Sequence, residues 1–218
     1  MDFGSNLGFQ FDVSDQVTVG GSYRSTVEVE FDGDADFTFL GSGTALDPQL
    51  RLLFPEDQPV STILSLPDVL VLALAFKPGE SVVIEGDLGW MGWSRLDRLG
   101  LRFEDDSLNF ALEENWEDSF YYRFGVETRL DSRTQVRFGF YYDETPQPTK
   151  SASPIIVDAD RYGLSAGLGR EWESWSADLF AMVLVASDRD TEGVNRDGYE
   201  GSYANGAQLL GFTVSYSY

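Results

Sequence analysis

An all-β wall is the fold class this sequence predicts: an antiparallel meander of about nine strands that crosses a membrane. Three observations predict it. Apolar residues alternate with polar or small ones along most of the chain, which is the period of strands. Connections alternate in length, short after odd-numbered strands, then long, polar and acidic after even-numbered ones. Within the strands, the charged residues keep to the face opposite the aromatic and aliphatic one.

Composition narrows the alternatives. The chain has 218 residues, 42% of them apolar and 14% aromatic, enough for one sizeable β domain. It has no cysteine and no histidine. That removes disulfides, thiolate chemistry, most zinc sites and histidine-based triads, so neither an enzyme nor a cofactor is expected. A formal charge of −22 opposes binding to nucleic acid, whose phosphates demand Lys and Arg. No apolar run reaches the ~18 residues of a spanning helix, because Ser65, Pro67 and Asp68 interrupt the richest stretch, 63–76. The first residues carry neither a basic nor an apolar leader segment, so the start of an exported protein is expected to be absent.

The first strand, 6–13, sets Leu7, Phe9, Phe11 and Val13 on one face. The second, 17–31, sets Val19, Tyr23, Val27, Val29 and Phe31 against Ser22, Arg24, Thr26, Glu28 and Glu30. Centring this hairpin on Asp15 pairs Phe11 with Val19 and Asp12 with Thr18, so like meets like. Glycine, aspartate and proline punctuate 32–61, which reads as one long loop with a short amphipathic piece near 48–54.

Strands three (63–77) and four (81–95) flank the turn at Pro78 and Gly79. Leu70, Leu72, Leu74 and Phe76 are expected outward, with Val71, Ala73 and Ala75 inward. Strand four sets Ile84, Leu88 and Trp90 against Glu85, Asp87, Met91 and Trp93. An acidic loop, 104–117, follows. Strand five sets Phe120, Tyr122, Phe124 and Val126 against Tyr121, Arg123, Gly125 and Glu127. Strand six sets Val136, Phe138, Phe140 and Tyr142 against Arg137, Gly139 and Tyr141. Centring on Ser132 places Glu127 across from Arg137 and Arg123 across from Tyr141. A proline-rich loop (143–160) leads to strand seven, 161–171, and a tight turn to strand eight, 175–187. A polar loop precedes the last strand, 207–218, with Leu210, Phe212, Val214, Tyr216 and Tyr218 on one face.

Short turns on one rim and long loops on the other are the pattern of an outer-membrane barrel. The charges agree: Arg24, Glu28, Glu85, Asp87, Arg123, Glu127, Arg137, Arg161 and Asp178 share the polar face. A lipid-facing charge at mid-bilayer costs ~2–4 kcal/mol. Arg170 is the exception, near enough to the short-turn rim to snorkel. Aromatic residues gather at both rims, with Trp172, Trp175, Tyr216 and Tyr218 at one and Phe120, Tyr122 and Tyr142 at the other. The final strand, with Phe212, Val214, Tyr216 and Tyr218, resembles the assembly signal of bacterial outer-membrane barrels. Outer-membrane lipids and the barrel assembly machinery are the partners this implies.

Several motifs together resemble one family. They are Ser22-Tyr23-Arg24-Ser25, Leu66-Pro67, Gly92-Trp93-Ser94, Asn115-Trp116-Glu117-Asp118, Tyr142-Asp143-Glu144-Thr145-Pro146, and Asp158-Ala159-Asp160-Arg161 before Leu164. Their order and spacing are similar to the C-terminal part of the FadL/TodX outer-membrane transporters. The resemblance implies passive uptake of long-chain fatty acids or other hydrophobic compounds through a barrel of roughly fourteen strands, in the bacterial outer membrane. The 218 residues would supply its last strands, without the plug, so gating and lateral exit do not carry over. A structural or adhesive barrel with acidic extracellular loops is the alternative.

The polar face holds the candidate ligand contacts. Pairing Trp172 with Trp175 sets Phe180, Met182 and Leu184 opposite Gly167, Ser165 and Gly163. These apolar residues either line a groove for a hydrophobic ligand or pack against a plug. Arg24, Arg123 and Arg161, with Tyr121 and Tyr141 nearby, either hold a carboxylate or form wall ion pairs. Glu127 and Arg137 are expected as an ion pair. No metal site is expected: the acidic run from Asp188 to Gly193 suggests a calcium loop, but Tyr199 stands where a glutamate would close it.

Overall fold

The computed structural model describes residues 3–154 and 157–217. In chain order the strands are β1 (Asn6–Ser14), β2 (Val17–Arg24), β3 (Val27–Ala35), β4 (Gln58–Leu66), β5 (Val69–Gly79), β6 (Val82–Met91), β7 (Arg98–Phe103) and β8 (Phe110–Glu113). Then come β9 (Ser119–Arg129), β10 (Thr134–Asp143), β11 (Arg161–Glu171), β12 (Trp175–Ala186), β13 (Arg189–Asp190), β14 (Ser202–Tyr203) and β15 (Gly206–Tyr216). A single α-helical turn, α1 (Asp47–Arg51), lies between β3 and β4.

Nine strands form one antiparallel sheet, the wall, in the order β1-β2-β5-β6-β9-β10-β11-β12-β15. The expected hairpin registers hold. Phe11 faces Val19 and Asp12 faces Thr18; Glu127 faces Arg137 and Arg123 faces Tyr141. The Ser14 hydroxyl closes the first turn by accepting from the Gln16 and Val17 amides at 3.3 and 3.2 Å.

Two expectations are corrected. Strands 17–31 and 63–77 are each broken, at 25–26 and 67–68, into a wall strand and an outer strand. The ladder resumes in the same register, with Arg24 facing Val69 below the break and Val27 facing Leu66 above it. The cause lies at Pro67, which has no amide to donate. The Thr26 hydroxyl instead donates to the Leu66 carbonyl at 2.6 Å, and the Gly92 amide to the Asp68 carbonyl at 2.9 Å. Glu28 therefore lies outside the wall, on β3.

The second correction concerns the loops. The segment 32–61 is not one loop, because it carries the end of β3, α1 and the start of β4. The acidic stretch 104–117 contains β8. Together β3-β4-β7-β8 make a second, four-stranded sheet. One of its faces is apolar, with Phe31, Thr62, Leu101 and Phe110 directly opposed. Phe37, Phe54 and Phe103 cluster at its far end.

Opposed residues share a face, which sorts the wall cleanly. Its apolar face is exposed: Leu7 is 72% accessible, Leu164 66% and Phe212 80%. That much apolar surface requires a non-aqueous surround. Arg170 is the exception on that face, donating to the Thr134 hydroxyl at 3.1 Å beside the short turn. Both aromatic rims form as expected. Tyr122, Tyr142 and Tyr162 stand in a ladder with ring separations of 6.0 and 4.9 Å. Trp175 and Tyr216 meet at 4.8 Å on the other rim. No helix among the described residues is long and apolar enough to cross a membrane.

Most buried residues gather at the long-connection rim, and the buried side chains of the wall, Ser119, Tyr121 and Asp143, lie at the ends of β9 and β10 nearest it. Leu96, Trp116, Ala152 and Ala159 are buried there with Gln147, Ser151, Arg189 and Thr191.

Candidate functional site

Two adjacent rows on the polar face enclose a groove of about 400 Å³. One row runs Asp87, Arg123, Tyr141, Gly163 and Leu184 across β6, β9, β10, β11 and β12. The next runs Glu85, Gly125, Gly139, Ser165 and Met182. The small residues of the second row form the floor. A methyl on Gly139 would stand 2.6 Å from the Ser165 hydroxyl, so nothing larger fits without displacement.

Arg123 lies against two aromatic rings. Its guanidinium lies 4.5 Å from the Tyr121 ring centroid and 5.7 Å from that of Tyr141. Tyr121 in turn is buried, with its ring laid over Gly89, where a methyl would stand 2.1 Å from the ring. Four candidates thus come together: Arg123, Tyr121, Tyr141 and Met182.

The others are placed differently. Leu184 and Met182 fold over Gly163, where a methyl would stand 2.9 and 2.6 Å from them. Phe180 leans away from Gly167 and covers Gly211 on β15. Arg161 is bonded to Asp143 and lies 3.7 Å from Asp158. Arg24 faces Asn6 and Val69, with β5 and β6 between it and Arg123. Arg137 donates to Glu127 at 2.7 Å and to Asp178 at 2.6 Å, so the expected pair is a triad. Phe212, Val214 and Tyr216 line the apolar face opposite Leu179, Ala177 and Trp175. Tyr218 lies outside the described residues.

Glu85 and Asp87 border the groove without having been singled out as contacts. The Ser132 centre that pairs Glu127 with Arg137 also opposes Gly125 to Gly139, so the floor was legible in the turn geometry.

The motifs that carried the resemblance meet at the long-connection rim. Trp93 packs on Trp116 at 4.9 Å. Asn115 adopts the left-handed conformation, φ 50°, that directs Trp116 inward. The Ser94 amide donates to Asp118 at 3.0 Å. The Thr145 amide and hydroxyl donate to Asp160 and Asp158 at 2.9 and 2.8 Å. The buried Arg189 guanidinium binds the carbonyls of Gln147 and Asp158. Asp68 accepts from Arg95 at 2.8 Å and Tyr23 at 3.2 Å. The hydrogen bond from Arg95 holds the Asp68 carboxyl below the usual carboxylate range. These residues fasten loops to the wall.

Comparison with known proteins agrees with this architecture. The profile of the family described as outer membrane protein transport protein (OMPP1/FadL/TodX) matches residues 1–218. The chain is 25% identical to the long-chain fatty acid transport protein of Escherichia coli O6:H1, over 99% of its own length and 50% of that protein's. It is 25% identical to outer membrane protein P1 of Haemophilus influenzae, over 99% of this chain and 47% of the relative. The fold matches the crystal structure of a Pseudomonas aeruginosa FadL homologue with a TM-score of 0.77 at 20% identity, covering 96% of this chain and 50% of that one. It matches the Pseudomonas putida toluene transporter TodX with a TM-score of 0.66 at 16% identity, covering 98% and 48%. The chain thus spans about half the length of the curated relatives it matches. An exposed apolar face, two aromatic rims, the motif order and the profile match over every residue lead to one conclusion: the chain belongs to the OMPP1/FadL/TodX family of outer membrane transport proteins.

Proposed function

We propose that these residues form part of a channel for passive uptake of hydrophobic small molecules, long-chain fatty acids or hydrocarbons among them. The family is one of bacterial outer-membrane transport channels rather than enzymes. The observation that supports a ligand path here is the groove between Arg123, Tyr141 and Met182 on the polar face. Its glycine floor leaves room for an apolar body, and burial there is worth about 25 cal/mol per Å². A passive path needs such contacts to be numerous and individually weak, so that the solute moves on. Phe180 and Leu184 extend the apolar strip along β12 toward β15. Arg24, Arg161 and Tyr121 remain secondary contacts in this reading. The C-terminal residues Phe212, Val214, Tyr216 and Tyr218 serve recognition by the barrel assembly machinery, and outer-membrane lipids cover the apolar face.

Uptake of radiolabelled oleate and toluene tests the proposal in cells lacking their own transporter. Gly139→Leu fills the groove floor, and uptake should fall at least about fivefold with the outer-membrane level of the protein unchanged. Equal uptake by the variant and the parent would remove the groove from the path.

A further inference from the structure

Building on that uptake reading, we infer that the groove selects its ligand by the head group, and that the preferred head is uncharged and both donates and accepts hydrogen bonds, as in an acyl amide. Asp87 and Arg123 are direct cross-strand partners. Opposite charges in that relation ordinarily pair. Here they do not: the Arg123 guanidinium lies over Tyr121 and Tyr141 instead, 4.5 and 5.7 Å from their centroids. Among the described residues no carboxylate stands within ion-pair distance of Arg123, and no cation within that distance of Glu85 or Asp87. The contrast with the same face is direct, since Arg137 has two carboxylates and Arg161 has Asp143.

All three unpaired groups border the one groove. Arg123 can only donate, and Glu85 and Asp87 can only accept. Two acids and one base leave one net negative charge at the groove edge. A ligand carboxylate reaching Arg123 would add a third carboxylate beside two unpaired ones and raise the net charge at the groove edge from about −1 to −2, which is unfavourable. An ammonium would satisfy the acids and leave Arg123 facing a cation. A neutral amide satisfies both sides, its carbonyl accepting from Arg123 and its N–H donating to Glu85 or Asp87. Each of those bonds is charge-assisted and so stronger than its neutral counterpart. The apolar body then rests on Gly139 and Ser165 against Met182.

Binding of decanamide, decanoate and toluene to the full-length protein in detergent, measured calorimetrically at pH 7.5, tests this. Decanamide should bind at least about tenfold more tightly than decanoate. In the E85Q/D87N double variant that ratio should fall toward one, because decanoate gains. In Arg123→Met decanamide should weaken while toluene, which has no head group, is unchanged. Heat-modifiable mobility on a gel checks that each variant is folded. A decanoate affinity equal to or above that of decanamide, or a ratio untouched by E85Q/D87N, would overturn the inference while toluene binding still upheld the uptake reading. Loss of binding by all three probes in the parent protein would overturn both.

Discussion

Arg137 and Asp68 show how charges are used in a thin wall. Arg137 bridges Glu127 and Asp178, so one guanidinium on β10 ties its neighbour β9 and, across β11, also β12 through side chains. Its side chain and that of Asp178 are each 40% exposed, so the triad is a modest stabiliser. Arg137→Met should cost about 1 kcal/mol, the upper range for exposed pairs. Thermal unfolding in detergent should show a Tm lower by about 2–4 °C. Asp68 sits in a drier place, with its side chain 7% exposed. Its carboxyl is held below its ordinary value of ~3.9, first by the hydrogen bond from Arg95. A depressed folded-state pKa gives stability that is complete above the unfolded value and lost as pH falls through the folded one. Acid titration of the parent should therefore destabilise the rim below about pH 4. Asp68→Asn should flatten that acid limb while lowering stability at neutral pH.

At the element scale, the connection rim behaves as a small packed unit carried by the wall. The Trp93–Trp116 contact, the left-handed Asn115 and the Arg189 bonds join three connections that are remote in sequence. Truncating a buried tryptophan costs about 3–5 kcal/mol. Trp116→Ala should concentrate that loss at the rim. Limited proteolysis should then cut within 104–117 and 143–160, with the wall strands still protected. Cutting confined to the wall would show that the rim contributes nothing to its own order. The hairpin 17–35/58–76 is an element of another kind. Its register continues through the break at Pro67, so the sequence pattern alone reads as one strand on each side. The amide missing at Pro67 decides where the wall stops and the outer sheet begins.

Across the whole molecule, strand direction sets a constraint. Neighbours in the wall are antiparallel throughout its nine strands, so the outermost two, β1 and β15, run the same way. Each is paired on one side only among the described residues. Joining them directly would require a parallel pair, whereas bacterial barrels of this kind are antiparallel with an even strand count. Unpaired backbone in lipid is costly. A polypeptide of residues 1–218 alone should therefore give no native-like channel. Its liposomes should show neither toluene permeation nor a heat-modifiable band, and a detergent-stable closed monomer would refute this.

Strand alternation, the registers centred on Asp15 and Ser132, the two aromatic rims and the segregation of charge were all legible in the residues. They follow from a period of two and from turns of a few residues, which are local properties. The outer sheet was not legible, because pairing β4 with β7 joins short segments some 40 residues apart and no local rule ranks that pairing above others. Nor was the state of Arg123. Register alone sets it against both Asp87 and Tyr141, and only the packed positions of Tyr121 and Tyr141 turned its guanidinium from the carboxylate to the rings. The sequence determined which face each residue takes. The tertiary structure decided which neighbours on that face remain unpaired, because that depends on where side chains from different strands come to rest.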